Sequence, residues 1–80
     1  MLFILLDLFQ GFIEIINYLA KAAIGEKNLE QFEHYFLQGI HGAKALKSEK
    51  RRQEAVANWK TARVQWPHEK KLLALAEALF

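Results

Sequence analysis

Residues 1 to 24, MLFILLDLFQGFIEIINYLAKAAI, are close to continuous hydrocarbon broken by single polar residues, and whatever this chain folds into must find cover for that stretch. Taken at 100° per residue, Asp7, Gln10, Glu14, Asn17 and Lys21 fall at spacings of three and four and form one stripe on an α-helix. The stripe takes up only about 80° of the circumference, whereas a helix resting on a globular core shows water over about half its face. The helix is therefore expected to be covered on more than one side, with the polar stripe left in water.

Two environments could supply that cover: the rest of the chain together with a partner or a second copy, or lipid. A 24-residue helix is about 36 Å long, enough to cross the hydrocarbon layer of a bilayer. Glu14 and Asp7 work against a lone span, since an acid near the bilayer centre costs on the order of 3 kcal/mol. If the helix did span, Lys21 and Lys27 would place the C-terminal part of the chain on the cytoplasmic side. A secretory signal peptide is not expected, because no basic segment precedes the apolar run and no A-x-A-like cleavage site comes after it.

The composition sharpens the need for cover. Eighty residues make one domain, whose single core leaves only a few kcal/mol of net stability. There is no cysteine to form a disulfide and no Cys/His zinc pattern. At 52% hydrophobic residues the chain is too apolar to be disordered and carries more apolar surface than a small monomer readily hides. Charge is also divided. Residues 1 to 42 hold five acids against two bases, and residues 43 to 80 hold nine bases against four acids. Such a split suits either self-association or an anionic partner for the basic half.

Beyond the first helix, Gly25 offers a left-handed C-cap and Asn28 an N-cap with Gln31 three residues on. A second helix is predicted from Leu29 to Lys47, with Phe32, Phe36, Ile40, Ala43 and Leu46 on one face. Gly39 and Gly42 inside it each cost about 1 kcal/mol relative to alanine, which either marks the close passage of another backbone or simply weakens the helix. SEKRRQ, from Ser48, reads as a tight turn followed by the first turn of a third helix, which runs to Trp66 with Ala55, Trp59, Ala62 and Trp66 in a narrow arc. Trp59 and Trp66 are expected to hold the hairpin together. Pro67 then opens a last helix, about His68 to Leu79, with Glu69 in its first turn.

Across residues 36 to 69, Ala43, Ala55, Trp59, Ala62 and Pro67 fall where a tetratricopeptide repeat places its small residues, its aromatic and its closing proline, and the segment resembles one such repeat. Leu46 stands in for the usual tyrosine, Gly39 for a tryptophan, Gly42 for a leucine and Lys50 for the turn glycine. The resemblance covers less than half of the chain and shows no second copy of the unit. It implies a helical hairpin and a protein- or peptide-binding module.

Chemistry-bearing residues are sparse. His34 and His41 are seven apart, about 10.5 Å along a helix, too far for one ion, and Glu30 with His34 supplies only two ligands. Few hydroxyls and no thiol leave no nucleophile–base pairing, so neither catalysis nor a cofactor is expected. Gly39-Ile40-His41-Gly42 spells a GxxG, but the nucleic-acid grip of that motif belongs to a fold with strands. The basic residues Lys44, Lys47, Lys50, Arg51 and Arg52 at the turn, with Lys60 and Arg63 beside the tryptophans, could hold phosphates or anionic headgroups. The favoured reading is a solvated charged turn above a tryptophan-containing core, because the tryptophans sit on the alanine face.

The expectation is thus an all-α bundle of about four helices in one domain, residues 1–24 forming an association helix and 28–80 the helical hairpins. It would be a cytoplasmic, non-enzymatic interaction subunit or adaptor. Phe3, Phe9, Phe12, Ile13 and Ile16 would dock it on a protein partner or another copy. The alternatives are a membrane-associated subunit with a basic cytoplasmic domain and a nucleic-acid-binding protein using the basic turn.

Overall fold

The helices follow directly from the caps and the three-and-four spacing of the apolar residues. The structure is a computed structural model; it describes residues 2–79, with side chains from Leu8 to Leu79. Helix α1 runs Leu2–Gly25, α2 Leu29–Ala45, α3 Glu49–Gln65 and the short α4 Lys70–Leu75, continued by a 3-10 turn over Ala76–Leu79. There is no strand among the described residues. The GxxG at 39–42 therefore lies inside α2 and is no loop between elements.

The two tight turns are built alike. Asn28 N–H donates to the Ala23 carbonyl and Ser48 N–H to the Ala43 carbonyl, both at 2.9 Å, closing each preceding helix with a Schellman-type bond. Asn28 and Ser48 then cap the next helix, their side-chain oxygens accepting from the backbone N–H of Gln31 and Arg51. One residue thus stops a helix and starts another. The left-handed position in each turn is filled by lysine: Lys27 has φ 59° and Lys47 φ 53°. Gly25, expected to supply that conformation, remains in the last turn of α1, because the reversal comes two residues later.

With connections this short, α1, α2 and α3 stack up, down and up. Ile13 lies on Gly42 and Asn17 on Gly39, so α2 runs antiparallel to α1; Asn17 also reaches Arg51, Glu54 and Asn58 on α3, which runs alongside α1 in the same sense. The core is filled by Phe32, Phe36 and Ile40 of α2, the alanines of α1 and α3, and Leu72, Leu75 and Leu79 at the C-terminal end. Phe32 stacks on Phe36 with ring centroids 5.6 Å apart and meets the Trp66 ring at 6.1 Å. The indole N–H of Trp59 donates to the Leu72 carbonyl at 2.7 Å, so Trp59 ties α4 to α3 while Trp66 closes the hairpin on α2.

The last helix departs from expectation at its start. Trp66, anchored on Phe32, leaves the helical region at φ −127°, and Pro67 and His68 form a turn; Glu69 then acts as the N-cap, accepting from Lys71 N–H. The helix therefore opens at Lys70.

Gly39 and Gly42 are the places where α1 closes on α2. A β-carbon at Gly39 would come 2.3 Å from Asn17 Oδ1, and one at Gly42 would come 2.1 Å from Ile13 Cδ1. The close-passage reading of these glycines holds, and the two differ in what must move. Asn17 is hydrogen-bonded to α3, whereas Ile13 Cδ1 is a side-chain tip beside an open apolar notch.

Gly39→Ala is expected to destabilise the protein by about 1–3 kcal/mol in urea unfolding, while Gly42→Ala stays within about 1 kcal/mol of the parent because Ile13 can turn into the notch and the helix gains propensity. Equal losses at both sites would refute this account of the α1–α2 contact. Lys27→Gly and Lys47→Gly should each raise stability by about 0.5–1 kcal/mol in the same measurement, since glycine takes a left-handed backbone at least steric cost.

Candidate interaction surface

Which way α1 faces is decided by its polar stripe. Asn17 is buried at 4% exposure between α2 and α3, its Nδ2 donating to the Arg51 carbonyl at 3.2 Å and to Glu54 Oε1 at 3.1 Å. From α3, Asn58 Nδ2 donates to the Asn17 backbone carbonyl at 2.9 Å. Arg51, itself 7% exposed, donates from Nη1 to both oxygens of Glu54 at 2.9 and 2.7 Å and from Nη2 to Glu14 at 3.2 Å. Of the stripe expected to be solvated, Asn17 and Glu14 therefore form a seam with α3 while Lys21 stays exposed and Asp7 lies outside the described side chains; a cleft of about 340 Å³ lined by Glu14, Tyr18, Lys21 and Glu54 flanks the seam. Among the described residues, Asn17 Oδ1 and Arg51 Nε find no hydrogen-bond partner.

Burial alone would push the Glu54 carboxyl up, but hydrogen bonds from Arg51 and Asn17, with the nearby positive charges of Arg51 and Lys50, hold it below its ordinary value. The signal that could have revealed this seam is a matching pair of spacings. Glu14, Asn17 and Lys21 on α1 recur at three and four, as do Arg51, Glu54 and Asn58 on α3.

Turning the polar stripe inward turns hydrocarbon outward. Leu8, Phe9, Phe12, Ile15 and Tyr18 are each 55–70% exposed. Ile13 and Ile16, expected in the association surface with Phe9 and Phe12, are instead buried at 6% and 4%, facing α2. Phe3 lies outside the described side chains. Leu8, Ile15 and Tyr18 are the members of the face that sequence reasoning missed, because wheel position alone did not say which apolar side met the core. Beside the face, Phe9 and Ile13 with Gly42, Ala45 and Leu46 line the apolar notch, about 250 Å³ in volume.

Among the basic residues, the three arginines are engaged within the chain. Arg51 is consumed by the seam and cannot serve as an anion-binding group. Arg52 pairs with Glu49 at 2.7 Å and donates to the Leu79 carbonyl, and Arg63 stacks over the Trp59 ring at 5.7 Å. Lys44, Lys47, Lys50 and Lys60 are exposed. They do not converge with the three arginines into one site, because the arginines bind within the chain.

His34 is hydrogen-bonded to Gln38 at 3.1 Å along the face of α2, and no group of three or more metal-ligating side chains occurs among the described residues. Among the described residues no helix is long and apolar enough to cross a membrane; residues 1–7 of the expected span lie outside the described side chains. The hydrocarbon of α1 is interrupted by the residues that bind α3.

A carboxyl whose folded value is depressed contributes stability above its unfolded value and loses it as the pH falls through the folded one. Glu54 starts from an ordinary value of 4.5, so the seam should weaken progressively below that pH. The melting temperature is expected to fall between pH 5 and pH 3, roughly the range over which such a carboxylate takes up its proton, and Glu54→Gln should flatten that part of the profile. An unchanged acid limb in the variant would count against the seam as its source.

No family model, no curated protein and no solved structure matches this chain.

Proposed function

We propose that this protein is a non-enzymatic interaction subunit, an adaptor that docks through the outer face of α1 onto another protein surface. The observation that carries the reading is the placement of α1: Asn17 and Glu14 bind α3, while Leu8, Phe12, Ile15 and Tyr18 stand 58–70% exposed on the side turned away from the bundle. Those four side chains amount to roughly 500 Å² of exposed surface, within the size range of a functional patch.

The likeness of residues 36–69 to a tetratricopeptide repeat points the same way. Ala43, Ala55 and Ala62, at the positions that pattern keeps small, are fully buried between helices. Such a hairpin is a scaffold for presenting a surface. The basic turn favours a nucleic-acid partner less, because Arg51 and Arg52 are already neutralised by Glu14, Glu54 and Glu49.

The test is site-specific photo-crosslinking in cells producing the full chain. A photoreactive side chain at position 12 should yield discrete protein adducts, whereas one at Val64, exposed on α3 at 82%, should yield none. Adducts to lipid alone, or equal yields at both positions, would defeat the reading.

A further inference from the structure

The outward face of α1 has a finer order than exposure alone reveals. Leu8, Phe12, Ile15, Leu19 and Ala22 recur at spacings of four and three, the seam of a helix that pairs with another helix in coiled-coil fashion. This seam is separate from the inner row of Ile13, Ile16, Ala20 and Ala23, which packs in the bundle core.

Within the outer face stands Gly11, in the middle of a helix where glycine costs about 1 kcal/mol relative to alanine. Among the described residues nothing lies within 4 Å of a β-carbon placed there, so none of them requires a glycine at this position. Gly39 and Gly42 have such contacts; Gly11 has only open space.

We propose that the occupant of this face is a second copy of the chain, with the two α1 helices packed antiparallel about a two-fold axis. This rests on the reading that the face is a docking surface and names its partner. In that arrangement the seam residues meet as layers: Phe12 lies opposite Ile15 of the second copy, and Leu8 opposite Leu19. Each layer then pairs residues of comparable total size. A parallel pairing would set Phe12 against Phe12 and Ala22 against Ala22, a wide layer and a narrow one along the same seam.

The same register accounts for Gly11. Side chains on a helix lean toward its N-terminus. Tyr18 of the second copy, leaning that way along an antiparallel helix, comes over Gly11, and the reciprocal pair forms across the axis. A tyrosine 70% exposed in one copy is seated on a glycine that has open space in the other.

The area agrees as well. Pairing two faces of roughly 500 Å² removes about 1,000 Å² from water, the size at which a protein pairing becomes specific and one that comes apart on dilution. The open side of α1 lies opposite both α2 and α3, so the two bundles sit on the far sides of the paired helices.

The experiment uses the purified full chain, without detergent. Sedimentation equilibrium should give twice the chain mass of 9.3 kDa, dissociating on dilution. Gly11→Gln, which adds helix propensity and whose β-carbon meets none of the described residues, should remain fully helical by circular dichroism while the dimer dissociation constant rises about 30-fold or more as Tyr18 is displaced. The native chain has no cysteine, so disulfide trapping has a clean background. A mixture of Phe12→Cys and Ile15→Cys proteins should oxidise to a mixed dimer, and neither variant should link to itself, since disulfides need close α-carbons.

A monomer up to high micromolar concentration overturns the proposal, and position-12 protein adducts in cells would still stand for the docking reading. A Gly11→Gln variant that dimerises as tightly as the parent, or self-linking at position 12 in preference to the 12–15 pair, overturns it equally. Position-12 adducts in cells to a second copy alone, alongside a clean dimer in solution, would uphold self-pairing and sink the adaptor reading.

Discussion

The hydrogen bonds of one buried asparagine orient the whole molecule. Asn17 could turn to water only if α1 rotated about its axis, and that rotation would break its bonds to the Arg51 carbonyl and Glu54 and the bond its own carbonyl accepts from Asn58. A buried polar group left without partners costs about 1–3 kcal/mol, a large share of the stability available to eighty residues. Hydrocarbon on the other side carries no directional penalty for exposure. The polar contacts therefore choose the rotation, and the apolar residues take whatever side remains.

Size then fixes how near the helices come. Gly39 allows the Asn17 side chain to lie directly on α2, and the fully buried Ala43, Ala55 and Ala62 leave room for phenylalanine between backbones. Arg51 illustrates how the polar and apolar parts depend on each other: it is buried because α1 and α3 approach closely, and it tolerates burial because Glu54 and Glu14 neutralise it there. Replacing it by an uncharged residue would leave Glu54 in a low-polarity seam with less to hold its charge.

Local features of this fold were legible in the sequence, and relations between helices much less so. Asn28 and Ser48 announce helix starts because a cap acts within three residues, and the wheel of α2 shows its buried face because Phe32, Phe36 and Ile40 are large and regularly spaced. Gly39 and Gly42 signalled a close neighbour without naming it. The stripe of Asp7, Gln10, Glu14, Asn17 and Lys21 gives an angle on the helix, and an angle does not say whether water or another polar stripe lies there. Its match is the three-and-four spacing of Arg51, Glu54 and Asn58, a whole helix and two turns further along the chain, where no local rule connects the two. For the same reason Ile13 and Ile16 were placed in the outer face and Leu8, Ile15 and Tyr18 were not. Lys27 and Lys47 escaped notice because left-handed backbone is expected of glycine, yet the Schellman bonds to Ala23 and Ala43 impose it on lysine.

An exposed face of this size changes what stability means for so small a chain. At about 25 cal/mol per Å², roughly 500 Å² of apolar surface represents on the order of 12 kcal/mol of gross transfer free energy, several times the net stability that one core of this length supplies. Even after most of it is offset by the loss of translational freedom and the ordering of side chains, the remainder is comparable to the folding free energy itself. Folding and covering of the α1 face are therefore linked through mass action, and the partner that occupies the face stabilises the inverted rotation of α1 that created it. The Asn17 seam and the outer row are in this sense one device, in which polar contacts inside the chain hold a hydrophobic helix in the orientation that another surface can use.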